Sequence, residues 1–268
     1  MDKELFLKRK FTFPAPVLRI IASLAALLFF WQSLIWITNP PAFMLPAPGA
    51  VVEALVKNGD RLAFHAGITL TEILLGLFIG CLMGLWAALF LAYFRTARTW
   101  LLPLLVMTQA IPVFALAPLL VLWLGYGMAS KVAMASLIIF FPVTAAFLDG
   151  LRQTDPDWLD LSRSMNATSL RILWHVRMPA ALPALGSGLR VAAAIAPIGA
   201  IVGEWVGSSA GLGYIMLHAN GRMQTDLMFA ALFILAGMAL ILYFSLDFLL
   251  RRSLPWVPDS ERYKNSER

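Results

Sequence analysis

The sequence predicts an all-α, polytopic membrane protein: about six transmembrane helices around one polar helical insert on the cytoplasmic side. Three observations predict it. The 268 residues are 60% hydrophobic and only 13% charged, whereas soluble domains carry about 25% charged residues. Such a chain cannot cover a water-facing surface, and the bilayer is its natural solvent. Six runs reach the roughly 20 mainly apolar residues that a span requires: 17–37, 66–92, 101–124, 131–149, 184–204 and 227–249. Finally, when the runs are threaded in order, 17 of the 21 Lys and Arg residues fall on one side, which by the positive-inside rule is the cytoplasm. Both ends, a tail over 1–16 and another over 250–268, fall there with the segment 150–183. The net charge of +6 does not point to nucleic acid, because the basic residues are not clustered with aromatics on a polar face.

The chain reads as one domain over 1–268, without a linker or low-complexity stretch. The first run follows Lys8-Arg9-Lys10, so a signal peptide is the alternative to a span. The run is too long for that, and no clear small-residue cleavage site follows it. The loop "FMLPAPGAVVEALVKNG" predicts a short amphipathic helix on the outer surface, with Val51, Val52, Leu55 and Val56 as its apolar side and Asn58-Gly59 as its stop. A plain loop is the alternative.

The second span carries Gly76, Gly80 and Gly84 four apart, and the fifth carries Gly199 and Gly203 among Ala192, Ala196 and Ala200. Small residues on one helix face let backbones approach closely, although glycine is also simply frequent in membrane helices. The third span holds Pro112 and Pro118 in "QAIPVFALAPL". The kink either borders a pathway or serves packing. Polar residues in spans are Glu72, Gln109, Arg190 and Glu204, and the cost of a polar group in lipid makes each a functional candidate. Gln109 lies just before the kink. Glu72, Arg190 and Glu204 lie toward span ends, where snorkelling to the interface competes with a pathway role.

Several chemistries are missing. There is no phosphate loop and not one Gly-Lys dipeptide. His65, His175 and His218 are scattered, so no metal site is expected. "GSSAG" at 207–211 matches Gly-x-Ser-x-Gly, but that motif works on a strand-to-helix turn above a sheet. A structural turn is the better reading. Cys81 is the single cysteine, which excludes a disulfide framework. No enzymatic activity and no cofactor are expected in this chain.

The insert "SRSMNATSLRILWHVRMPAALP" (162–183) interrupts the apolar pattern. Asp155-Pro156 predicts a helix start. Trp158, Leu161 and Met165 make an apolar stripe at helical spacing. Asn166, suited to the left-handed conformation, predicts the stop. Thr168 is placed to cap a second helix, with Leu170, Leu173 and Trp174 on one face and Pro179 and Pro183 ending it. Such a platform suits either a groove on a soluble partner or lipid headgroups.

At these residues the chain resembles the permease subunits of bacterial ABC importers, whose "EAA" loop reads Glu-Ala-Ala, three residues, Gly, and later an apolar residue and Pro. Asp160-Leu161-Ser162 stands at Glu-Ala-Ala, Asn166 at the Gly and Met178-Pro179 at the close. "FMLPAPGAVVEAL", "QAIPVFALAPLLVLWLGYG" and "GEWVGSSAGLGYIM" are similar to the nitrate/sulfonate/taurine-type branch. "GEWVGSSAGLGY" with "NGRMQTDLMFAAL" looks most like permeases for pyrimidine precursors of thiamine.

The resemblance implies a permease of the bacterial inner membrane. Two copies would form the pathway, cytoplasmic ATPases would dock on the loops and use the ATP, and a periplasmic or lipid-anchored binding protein would deliver the solute. It implies ATPase coupling through Asp160, Leu161, Ser162, Arg163, Met165, Asn166 and Pro179. Gln109, Pro112 and Glu204 are the pathway candidates. The cargo would be a hydroxymethylpyrimidine-like precursor or, alternatively, a sulfonate, taurine or nitrate. A secondary transporter, the alternative from another class, would want paired mid-membrane acids and an internal repeat, and neither is found.

Overall fold

The computed structural model describes residues 15–256, so Lys8-Arg9-Lys10 and most of both tails lie outside the described residues. Those described fold into helices with no strand among them: α1 (Ala15–Thr38), α2 (Pro48–Lys57), α3 (Gly59–Tyr93), α4 (Arg95–Ala110), α5 (Val113–Leu124), α6 (Met128–Arg152), α7 (Pro156–Ser164), α8 (Ser169–Ile172), a π-helical turn (Leu173–Arg177), α9 (Met178–Gly207), α10 (Leu212–Gly221) and α11 (Thr225–Ser253). Helices α3, α6, α11 and the joined rod Ser169–Gly207 are each long and apolar enough to cross a membrane. In α1 the apolar stretch Ala22–Thr38 is shorter, so among the described residues four helices, or five with α4 and α5 taken as one span, meet the length and hydropathy of the six expected.

The third predicted span is not one helix. It breaks into α4 and α5, bent by 97°. The cause is local: the residue before a proline is pushed out of the helical region, and Ile111, before Pro112, is extended at φ −82°, ψ 119°.

The centre of the bundle is α6, gripped from two sides by glycines. A Cβ at Gly76 would strike the Ala135 side chain. One at Gly80 would come within 2.9 Å of both the Ile139 Cβ and the Ser136 carbonyl oxygen, and one at Gly84 within 2.9 Å of Val143. Positions 76, 80 and 84 thus meet 135, 139 and 143 in rising order, so α3 and α6 run parallel. Ser136 and Thr144 donate across the seam to the carbonyls of Gly76 and Gly84 at 3.3 and 3.4 Å. On the other side, a Cβ at Gly199 would come within 2.7 Å of the Ala135 Cα, at Gly203 within 3.0 Å of the Lys131 Cα, and at Gly188 within 2.7 Å of the Ala146 Cβ. Here the order is reversed, and α9 is antiparallel to α6.

The parallel pairing decides what the broken pair does. The chain leaves α3 at one face and enters α6 at the other, so α4 and α5 together carry it back across. They form a broken span rather than a re-entrant loop. Gly80→Ala is expected to cost about 1–3 kcal/mol, because the added methyl meets a backbone carbonyl that cannot swing away. Thermal unfolding of detergent-solubilised protein checks this.

Three sequence expectations are corrected. Helix α2 forms, but its buried side is Val51 and Ala54, while Val52 and Val56 are exposed. It rests on α11 and α3, and tertiary contact selected one of two similar apolar faces. Leu173 is buried with Ile172, whereas Leu170 and Trp174 are exposed, so the three do not share one outward face. Nor do Pro179 and Pro183 end the second helix, because α8 runs through the π-turn into α9. Met178 donates to the Leu173 carbonyl five residues back. The widened turn makes room for Pro179, whose ring would collide with the carbonyl four residues earlier in a regular α-helix.

Candidate functional site

The insert is built by local backbone chemistry. The Asp155 carboxylate accepts from the Asp157 N–H at 2.9 Å, with Pro156 in the first turn. This satisfies a donor that would have no partner within the helix. Asp160 and Arg163 form an ion pair at 2.7 Å on the exposed face. At the far end Asn166 takes φ +55°. Its N–H donates to the Arg163 carbonyl at 2.9 Å, and the Ala167 N–H donates to the Ser162 carbonyl at 3.0 Å. Those two bonds with a left-handed residue between them are the Schellman closure. Thr168 then accepts from the Arg171 N–H and opens α8.

The closed turn leaves α7 with an uncovered apolar edge: Trp158 is 55% exposed, Leu161 62% and Met165 74%. Ser162 is half-buried and donates to the Trp158 carbonyl, while Pro179 is exposed in the first turn of α9. Asn166→Gly is expected to leave the insert intact, while Asn166→Val strains the left-handed turn. Limited proteolysis of the insert, faster for Val than for Gly or wild type, checks it.

A second constellation lies at the opposite end of α9. Glu72 and Glu204 are each 1% exposed, so neither snorkels to an interface. Glu204 reaches the start of α10. Its Oε1 accepts from Thr69 Oγ1 at 2.6 Å, and its Oε2 accepts from the Gly213 N–H. Thr69 Oγ1 in turn accepts from the Leu212 N–H at 2.8 Å. His65 Nδ1 accepts from the Gly211 N–H at 2.9 Å, which leaves the ring proton on Nε2. Gly211 holds φ +115°, and a Cβ there would strike the Glu204 carboxylate. One carboxylate, one hydroxyl and one imidazole therefore take up three successive N–H groups of "GLG", groups that a helix start leaves unpaired. Glu72 Oε1 lies 3.9 Å from Lys131 Nζ, which donates to the Tyr126 carbonyl at 3.2 Å.

The sequence pointed to Glu72 and Glu204 but missed His65, Thr69, Gly211 and Gly213. The available signal was helical spacing: His65, Thr69 and Glu72 continue the face of Gly76, Gly80 and Gly84. Arg190 was also read alone, whereas its Nε donates to Asp247 Oδ1 at 2.7 Å and joins α9 to α11. Gln109 and Pro112 are exposed at the α4–α5 bend, away from both constellations. The Glu204 carboxylate is directed at α10 and Thr69, inside the chain's own interior.

Residues 76–257 match the family described as binding-protein-dependent transport system inner membrane component. A "Probable ABC transporter permease protein" of Haemophilus influenzae is 56% identical over 88% of this chain and 96% of its own length. The formylaminopyrimidine transport permease protein ThiX of Halalkalibacterium halodurans is 35% identical, over 86% and 92%. The riboflavin transport system permease protein RibX of Chloroflexus aurantiacus is 36% identical, over 91% and 92%. Among solved structures, an inward-facing MetNI methionine ABC transporter chain shares the fold with a TM-score of 0.63 at 21% identity, over 72% of this chain and 95% of that one.

Proposed function

The chain belongs to the family of inner membrane components of binding-protein-dependent transport systems, and on that premise we propose that it is the permease subunit of an ATP-driven importer, with α7 as the helix that an ATPase subunit grips. The observation that carries this is the uncovered stripe Trp158, Leu161 and Met165 on a helix closed at both ends by its own hydrogen bonds. A helix so braced transmits a push without unravelling. Asp160, Arg163 and Asn166 shape the platform, and Leu161, Ser162 and Met165 meet the partner. Pro179 sets where the platform joins the membrane rod.

In this reading the insert faces the cytoplasm of a bacterial inner membrane, where the ATPase binds and uses ATP, and this chain does no chemistry itself. Two copies line the pathway. Helix α4 supports that arrangement, since none of its residues is buried, and it carries Gln109 beside Pro112 at the bend. A binding protein delivers the solute from the opposite face. The cargo is a small nitrogen heterocycle of the pyrimidine type, a reading supported by the relatives named for formylaminopyrimidine and riboflavin. A relative named for taurine, from Escherichia coli at 30% identity, makes a sulfonate the runner-up.

The deciding experiment is co-expression of the full chain with the ATPase and binding-protein genes adjacent to its own. Detergent extraction is expected to recover a stoichiometric ATPase. Recovery of the permease alone overturns the reading. Thermal shift of the binding protein with pyrimidines, sulfonates and nitrate then separates the cargo classes.

A further inference from the structure

Beneath α7, at the corner where α3 gives way to α4, lies a polar recess of about 130 Å³ that shares only Arg163 with the proposed docking platform. Its walls come from the end of α3, the start of α4, the inner side of α7 and the α8–π-turn segment. Arg95, Arg163 and Arg177 contribute to the lining, with Tyr93 and Ser169 between them. The Nε of Arg177 is buried and has no hydrogen-bond partner. Among the described residues neither Arg95 nor Arg177 is in an ion pair, and Arg163 is held by Asp160 on the outer face. The charged groups whose fields act most on Arg177 are Arg95, Arg163 and Arg98, all positive.

A buried donor without a partner costs roughly 1–3 kcal/mol, more for a charged group. Mutual repulsion of guanidinium groups in a recess adds to that. Both costs disappear if an anion with several acceptor oxygens enters. Guanidinium forks match tetrahedral and planar oxyanions by paired N–H···O bonds, and the recess exceeds what a single water needs. The recess lies at the end of the α3 span, on the face that bears α7, where a headgroup phosphate or a free anion can reach it.

We propose that this recess binds a phosphate group, presented either by an anionic lipid headgroup or by free inorganic phosphate, and so braces α7 against the α3–α4 corner. The site needs neither the second copy nor the ATPase, although Arg163 belongs both to the recess and to the platform.

The test uses the full chain purified in neutral detergent, with the thermal unfolding midpoint as readout. One arm titrates inorganic phosphate at constant ionic strength. The other compares nanodiscs of phosphatidylcholine with nanodiscs carrying increasing phosphatidylglycerol. Wild type is expected to be stabilised in at least one arm. The half-stabilising concentration should rise roughly tenfold or more in Arg177→Gln and in Arg95→Gln, as expected for loss of one charged hydrogen-bond donor. It should not move in Arg171→Gln, an exposed arginine of α8 outside the recess. Response to phosphate identifies a free-anion site and response to phosphatidylglycerol alone a lipid site; either supports the proposal. Absence of stabilisation of wild type in both arms overturns it, as does an equal loss in Arg171→Gln. Since Arg95 is exposed, its variant keeps the test open if Arg177→Gln does not fold.

Discussion

Glu204→Ala is expected to destabilise the protein by about 1–3 kcal/mol, a large share of an ordinary protein's stability. The substitution leaves the Gly213 N–H without its acceptor in a site closed to water, while the Thr69 hydroxyl keeps the His65 carbonyl, 3.2 Å away, as its remaining acceptor. A buried N–H so stranded costs roughly 1–3 kcal/mol. Glu204→Gln keeps one carbonyl oxygen as acceptor and should cost markedly less. Thermal unfolding of the three proteins in one detergent reads the order wild type, Gln, Ala. If Ala unfolds at the wild-type temperature, Glu204 does not hold the turn.

The second large effect concerns the partner rather than the fold. Trp158→Asp should weaken ATPase capture roughly 30-fold or more, since loss of a large aromatic anchor at an interface costs about 2 kcal/mol or more. Trp158 is half exposed on α7, and its carbonyl rather than its ring holds Ser162. The unfolding midpoint of the isolated permease should therefore stay within about 0.5 kcal/mol of wild type. Pull-down of the co-expressed ATPase, with the unfolding curve beside it, separates the two effects. Undiminished capture by Trp158→Asp removes the stripe from the docking surface.

What could be read from the sequence follows the range of the interactions involved. Asp155, Asn166 and Thr168 were legible because each acts on backbone groups within a few residues of itself. The glycine seam was legible as spacing on α3, but its partners on α6 were not, because they lie about 60 residues on. The Glu204 clamp was least accessible. Its partner Thr69 is 135 residues away, and a threonine in an apolar helix carries no signal until a fold brings the acid to it. "GSSAG" forms a turn, as its composition suggested, yet the side chains that hold the N–H groups of the following "GLG" come from α3 and α9. The proline errors have a different origin. Pro112 broke the span outright and Pro183 did not break its helix, and only the π-turn, invisible in residue type, explains why Pro179 is tolerated.

One further consequence belongs to the rod Ser169–Gly207, whose 39 residues run about 58 Å. The insert sits at one end and the Glu204 clamp at the other, and no loop comes between them to absorb displacement. Gly188, Gly199 and Gly203 seat it against α6 at three levels. On the docking proposed above, a push at the insert is expected to reach "GSSAGLGY" at the far end of the same rod, and a distance measured between labels at the two ends with and without the ATPase checks whether they move together.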